Sequence, residues 1–293
     1  MRTVHGISPL KNAVVSMDSS AWLAAMAVQA LSDEALLTPK PGLVDSRGNG
    51  AHHDLSLPLL LLSARTLEPF FARMAIVASG STIDLALRKQ LGAIGRDAEH
   101  AMCQATRGIN THRGAIWALG LLVASAAHHG VGADEQKIAA TAAQIAALPD
   151  RSLPTAESHG AQAARRFGAI GARGEAVSGF PHVLQLGLPA LRRARAAGVP
   201  ENFARVDALL AIMESLVDTC LLHRGEEEAL RVAQQGARLV LEHGGSSTLD
   251  GRRALCDLER ALLRLWASPG GAADLLAAAL FLDRLASARE VTR

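Results

Sequence analysis

Apolar residues recur at three- and four-residue spacing along most of this chain, the period of an amphipathic helix. Alternation at a period of two, the mark of a half-buried strand, is rare. The pattern predicts helices over Ser20–Leu37, Leu57–Ala78, Thr82–Thr106, Arg113–His128, Asp134–Ala147 and Thr155–Phe167. It predicts five more over Pro189–Ala197, Asn202–Leu221, Glu226–Glu242, Asp250–Leu265 and Pro269–Ala288. Pro69 is placed to kink or divide the second of these. Asn110 or Thr111 can cap the helix from Arg113, and Ser268 with Pro269 reads as an N-cap followed by proline at the first helical position. Three acidic residues from Glu226 suit a helix N-terminus. The stretch 131–154 reads as a surface excursion, and the glycine-rich run "GAIGARGEAVSGFP" reads as a loop.

This is an all-α pattern, and composition agrees. Alanine and leucine dominate, tyrosine is absent, and strand formers are sparse. With 49% hydrophobic and 20% charged residues over 293 positions, the chain can bury a substantial core. A single helical domain over residues 20–289, with an N-terminal extension over 1–19, is the economical reading. The apolar runs Leu57–Leu62 and Ala115–Ala127 fall short of the roughly 18 residues that cross a bilayer. No signal-peptide apolar region opens the chain. The 3 cysteines match no zinc spacing and no disulfide framework, so a cytoplasmic location is expected. A net charge of +2 gives no reason to expect nucleic acid as a partner.

The helical pattern is interrupted by polar, glycine-rich clusters that a simple bundle does not need. They are "PKPGLVDSRGNGAHHD" (39–54), "GINTHRGA" (108–115), "SHG" (158–160), "GARGEAVSGFP" (171–181), "DTCLLHRGE" (218–226) and "SPGGAADLL" (268–276). Glycine lets backbone approach a ligand, helix N-termini favour phosphate, and arginine and lysine add countercharge. Carboxylates in the same clusters suit magnesium shared with phosphate oxygens. Together they describe a nucleotide or polyphosphate site at one end of a helical bundle. Lys40, Gly42, Asn110, His112, Arg113, His159, Arg173, His223, Arg224, Gly270 and Gly271 are the candidate binding residues. Asp45, Asp54, Glu175, Asp218 and Asp274 form the candidate acidic set for metal, and Asp54, His52, Glu175, Asp218 and Asp274 for catalysis.

Each has a plainer reading. Asp45 can be an Asx-turn and Asp54 a cap for the helix from Leu57, Arg173 can pair with Glu175, and Asp218 can be a solvated charge. Adjacent His52 and His53 cannot both face one site from regular structure. Asp274 stands among alanine and leucine, where an unpaired carboxylate is costly. "GAIGARG" has no strand before it, which rules out a dinucleotide-binding turn.

The clusters "PKPGLVD…GAHHDL", "NTHRGAIWALGLL", "HG…FGAIGARGEAVSGFP", "DTCLLHRGEEEAL" and "SPGGAADLLAAALFL" resemble, in order, the triphosphoribosyl-dephospho-coenzyme A synthase family. The resemblance spans about residues 20–285. Cys220 and Glu226 depart from it, standing where that family commonly has asparagine and a second glycine. It implies an all-helical transferase that joins the triphosphoribosyl group of ATP to the 2′-hydroxyl of 3′-dephospho-coenzyme A and releases adenine. It further implies a product handed to a transferase acting on an acyl carrier protein, of malonate decarboxylase in preference to citrate lyase. An α-linked product from β-configured ATP implies one inverting displacement. The same clusters would also serve a magnesium-dependent hydrolase of nucleotides or ADP-ribose, or a nucleotide-binding module without chemistry. The alanine-rich helices could form a homodimer surface as readily as a core.

Overall fold

The computed structural model describes residues 9–130, 132–150 and 159–291. Every regular element among them is helical. The first half of the chain forms α1 (Pro9–Leu36), α2 (Leu57–Thr66), α3 (Glu68–Ala78), α4 (Leu85–Ala105), α5 (Arg113–His129) and α6 (Glu135–Ala147). The second half forms α7 (His159–Phe167), α8 (Gly171–Val177), a π-helical turn (His182–Gly187), α9 (Leu188–Ala196), α10 (Glu201–Met213), α11 (Thr219–Glu242), α12 (Leu249–Arg264) and α13 (Gly270–Val291). The only strand-like pairing among the described residues is an isolated bridge between Asp45 and Gly48. No described helix is long and apolar enough to cross a membrane.

Two helices are apolar on nearly all sides and run through the interior. In α5, every residue from Ala115 to Ala126 is buried except Trp117. In α13, the run Leu275–Leu282 is buried without interruption. A helix that is apolar all round belongs in the centre of a bundle. Around this pair pack α1, α3, α6 and α10, with α12 laid against α11. Small side chains bring the axes close: a Cβ on Gly120 of α5 would lie 2.7 Å from the Met74 sulfur of α3.

The observed elements correct several expectations. Helix α1 continues upstream of Ser20 to Pro9. The helix expected over 57–78 is divided at Leu67, with Pro69 in the first turn of α3. Of the 131–154 stretch, residues 132–150 are described, and their helix α6 is not a surface excursion, since Ile138, Ala139, Ala142, Ile145 and Ala146 are fully buried. The run read as loop after Gly168 contains α8, because Ala172, Glu175 and Ala176 outweigh its glycines. The helix expected over 202–221 is interrupted instead after Met213, where Asp218 caps a new helix. The boundary expected at Glu226 is present as a break, since Gly225 and Glu226 leave helical geometry and divide α11 into two helical segments.

The bend is strained. Gly225 has φ −140° and Glu226 has φ +54°, ψ −151°. The second conformation is one that glycine tolerates and a side chain does not, at a cost of about 1–3 kcal/mol. Glu226 gains only an exposed ion pair with Arg166 at 2.7 Å, and exposed pairs contribute little. Replacing Glu226→Gly is therefore expected to raise stability by about 1 kcal/mol, read as a higher urea midpoint at unchanged m-value.

Candidate active site

One cavity of about 890 Å³ dominates the interior surface. Loop 37–56, the α4–α5 junction, the α8–π turn and the first turns of α11 and α13 enclose it. Five of the six polar clusters thus meet in space, although Lys40 and Asp274 stand 234 positions apart in the chain (274 − 40).

Three long helices, α5, α11 and α13, point their N-termini at this cavity. Such ends carry unpaired N–H groups and partial positive charge. Two carboxylates answer them. Asp218 Oδ1 accepts from the Cys220 N–H at 2.8 Å within its own helix, and its Oδ2 accepts from the Ala272 N–H of α13 at 3.0 Å. Gly271 permits this approach, because a Cβ there would sit 2.9 Å from Asp218 Oδ1. Asp274, just past the first turn of α13, lies against Gly114 and accepts from the Ala115 N–H of α5. Ser268 does not cap α13 as expected: its hydroxyl is buried without a partner, and Asp218 does the capping from another helix. Burial raises the Asp218 carboxyl despite its N–H partners. Asp274 is pushed well up by burial, then by the charges of Glu34 and Asp218.

Histidines form the polar walls. His52 is held by Arg224, whose Nη2 donates to Nδ1 at 2.9 Å while Nη1 donates to the Ala51 carbonyl at 3.1 Å. Arginine can only donate, so His52 carries its proton on Nε2. Burial, then the Arg224 charge, lowers its pKa to about 4. His112 is buried against the Ser63 hydroxyl at 2.8 Å, and burial followed by the Lys40 charge lowers it to about 4 as well. Glu175 is buried and accepts twice from His182, from its backbone N–H at 2.9 Å and from Nδ1 at 2.7 Å. At the rim, Arg113 Nε meets Glu99 at 3.0 Å. Asn110 Oδ1 accepts from the Arg113 N–H at 3.2 Å, the capping role anticipated for it.

Of the residues singled out in the sequence, Lys40, His52, Asp54, Asn110, His112, Arg113, Glu175, Asp218, His223, Arg224, Gly270, Gly271 and Asp274 all line the cavity. Lys40 does so with its ammonium engaged, donating to the Glu34 carbonyl and carboxylate at 2.6 Å each. Asp45 is turned away from the cavity. It makes an Asx-turn with the Arg47 N–H at 2.8 Å, accepts from the Lys40 N–H at 3.0 Å, and grips the Arg47 guanidinium. Burial raises its carboxyl, but the Arg47 and backbone hydrogen bonds more than offset this and hold it below the usual range. Gly42, at φ +72°, packs on protein: a Cβ would stand 2.6 Å from the Ala267 carbonyl. Arg173 is exposed and outside the lining, and Glu175 pairs with His182 instead of with it. The side chain of His159 lies outside the described residues. His53 leaves the site to its neighbour and stacks on Trp266 at 4.3 Å.

Glu34, Trp117 and His182 also line the cavity and were not anticipated. Glu34 had a readable signal. It falls in phase with Ala27, Ala30 and Leu31 on the buried face of α1, where a charge is out of place. His182 follows the last residue of a recognised cluster, and only the π-helical turn shows that it belongs to it.

No three His, Cys, Asp or Glu side chains among the described residues stand together as a preformed metal site. Asp45, Glu175 and Asp218 have both oxygens committed to protein donors. Asp54 and Asp274 keep oxygens toward the cavity, and the charge accumulated around Asp274 is one that a dication relieves. One or two carboxylates with the remainder supplied by phosphate and water is how magnesium is commonly bound.

The histidine environment predicts a pH signature. A neutral buried imidazole takes up protons only on unfolding, so stability is full above about pH 6.5 and is lost as pH falls toward about 4. The raised carboxyls of Asp218 and Asp274 act with the opposite sign. The difference between the native protein and a His112→Gln variant isolates the imidazole. That difference is expected to fall by roughly 3 kcal/mol across the window, measured by urea unfolding at stepped pH.

Comparison with known proteins matches the geometry. Residues 20–293 match the family described as CitG, ATP:dephospho-CoA triphosphoribosyl transferase. A Pseudomonas fluorescens protein named "Probable 2-(5''-triphosphoribosyl)-3'-dephosphocoenzyme-A synthase" is 57% identical over 272 residues, covering 92% of this chain and 94% of its own. A protein of the same name from Stutzerimonas stutzeri is 58% identical over 91% of this chain and 92% of its own. The "2-(5''-triphosphoribosyl)-3'-dephosphocoenzyme-A synthase" of Klebsiella pneumoniae is 54% identical over 90% and 95%. No solved structure matches the chain. With a family match from residue 20 onward and relatives more than half identical over nine-tenths of their lengths, the chain belongs to the CitG family of triphosphoribosyl-dephospho-CoA synthases.

Proposed function

We propose that this enzyme joins the triphosphoribosyl group of ATP to the ribose 2′-hydroxyl of 3′-dephospho-coenzyme A and releases adenine. The observation that carries the reading is the meeting, in one cavity, of cationic side chains for a polyphosphate and a carboxylate group under enforced negative potential. Arg113 and Arg224 stand on the wall as the triphosphate contacts, since guanidinium groups bind phosphate oxygens through paired N–H donors. Asn110 and the neutral imidazole of His112 border the same wall. The polyphosphate is gripped here but not cleaved.

The bond that breaks joins C1′ of the ATP ribose to adenine, and the transition state has oxocarbenium character. Carboxylates beside such a centre stabilise it, as in glycoside hydrolysis. Asp274, near the start of α13, is held toward its neutral form by burial and by Glu34 and Asp218, and a positive charge in the cavity would favour its ionised form. Asp54 and Asp274 would hold magnesium, which when bound with the triphosphate neutralises part of its charge. The apolar walls, Leu55, Leu60, Ile109 and Phe180 among them, keep water from competing with the acceptor hydroxyl. The acyl carrier protein of malonate decarboxylase is the proposed destination of the product, and that of citrate lyase the alternative. Loading of one carrier and not the other by the downstream transferase tells them apart.

Incubation with ATP, magnesium and 3′-dephospho-coenzyme A is expected to release adenine and give a product heavier by one triphosphoribosyl group. Release should require the acceptor. Adenine or phosphate formed without it would make the protein a hydrolase, and ATP binding with neither product would make it a binding module. The Asp54 side chain is 59% exposed, so Asp54→Ala should leave stability within about 0.5 kcal/mol. Transfer in that variant should fall by about a hundredfold or more.

A further inference from the structure

The transfer reaction needs a group to take the proton of the attacking hydroxyl, and the cavity contains one that the sequence clusters did not include. His182 lines the cavity with its side chain 17% exposed, open to a ligand, whereas its partner Glu175 is 3% exposed. The local backbone is bent to make this pair. Phe180, buried at φ +56°, and Pro181 turn the chain sharply out of α8, and His182 opens the π-helical turn. Strained residues and π-helical turns persist where the surrounding structure needs them, often at functional sites.

Both oxygens of Glu175 then accept from the one residue. Oε1 takes the His182 backbone N–H at 2.9 Å and Oε2 takes Nδ1 at 2.7 Å. A carboxylate accepts and does not donate, so Nδ1 carries the ring proton and Nε2 of a neutral ring is left with its lone pair. Among the other cavity histidines, His52 has the reverse tautomer imposed by Arg224. The Nε2 of His112 is buried and has no hydrogen-bond partner. His182 is thus a cavity histidine whose Nδ1 proton is held by a carboxylate, which leaves Nε2 as the acceptor.

We propose that His182 is the catalytic base of the transfer and Glu175 its positioning residue, an assignment that rests on the function proposed above. His182 Nε2 takes the proton from the acceptor 2′-hydroxyl as that oxygen bonds to C1′ of the ATP ribose. The bond from C1′ to adenine breaks with its electron pair, adenine takes a proton from solvent, and His182 returns its own to solvent. No oxidant or reductant enters.

Glu175→Gln is the informative variant. One oxygen of the amide can still serve the His182 backbone N–H, but the NH2 group must then face Nδ1 and donate to it. That moves the ring proton to Nε2 and removes the base without removing the ring. His182→Gln and Glu175→Gln are each expected to lower kcat by about a hundredfold or more, with KM for ATP and for dephospho-coenzyme A changed less than threefold. The double variant should be no slower than either single one, because the two act as a unit. Imidazole added to His182→Ala should restore part of the rate, in proportion to its free-base concentration.

A His182→Gln enzyme within threefold of native kcat, or rate losses that multiply in the double variant, overturns the assignment. So does a His182→Ala enzyme that keeps native thermal stability and substrate KM but gains nothing from imidazole. If the native enzyme releases no adenine with dephospho-coenzyme A, the proposed function itself has failed, which is a different result from a dispensable His182.

Discussion

The architecture of the site depends on three helix N-termini converging on one cavity and on two carboxylates that hold them there. Parallel positive dipole ends repel one another, and each leaves N–H groups that must be satisfied. Asp218 binds the first turns of α11 and α13 together, and Asp274, just past the first turn of α13, binds that helix to the first turn of α5. The same two groups therefore complete three helices and set the potential of the cavity. Their environment is expensive: burial disfavours both charges, and Asp218 adds to the cost at Asp274.

The 37–56 loop supplies the opposing wall and is built as a rigid piece. Asp45 organises it from within, and Arg47 carries the connection outward to Glu259 of α12 with contacts at 2.7 Å. Its glycines allow backbone to pass close to backbone, at Gly42 against Ala267 and at Gly50 against Leu43. The loop then presents His52 and Asp54 to the cavity, with His52 fixed by Arg224 across the site. Loop and α11 are thus locked through one arginine, and the strained bend at Gly225–Glu226 lies directly after it. Strain next to Arg224 is intelligible as the cost of aiming the first turn of α11 inward while the rest of the helix packs on α12.

Much of this was legible in the chain. Helical periodicity is a local property, so the all-α class and most helix positions followed from spacing alone. Polar, glycine-rich junctions stood out because an apolar bundle has no use for them, and most of the candidate residues singled out from them border the cavity. The exceptions have a common cause. Asp45, Gly42 and Arg173 have the composition of site residues but lie outside the cavity lining, and composition does not say which way a side chain faces. Glu34 stands outside these junctions, and its signal is a single charge in phase with the buried stripe of α1.

What the sequence determined by itself was the class of fold, the presence of a nucleotide-type site and, through ordered motifs, the family. These depend on periodicity and on residue type, which are written locally. What only the tertiary structure decided was which groups share an oxygen or a proton: that Asp218 caps a helix more than fifty residues away, that Lys40 is spent on Glu34, and that Glu175 serves His182 and not Arg173 or a metal. Those pairings depend on distances of a few ångströms between segments far apart in the chain. Such distances are set by how helices pack, and no local pattern encodes them.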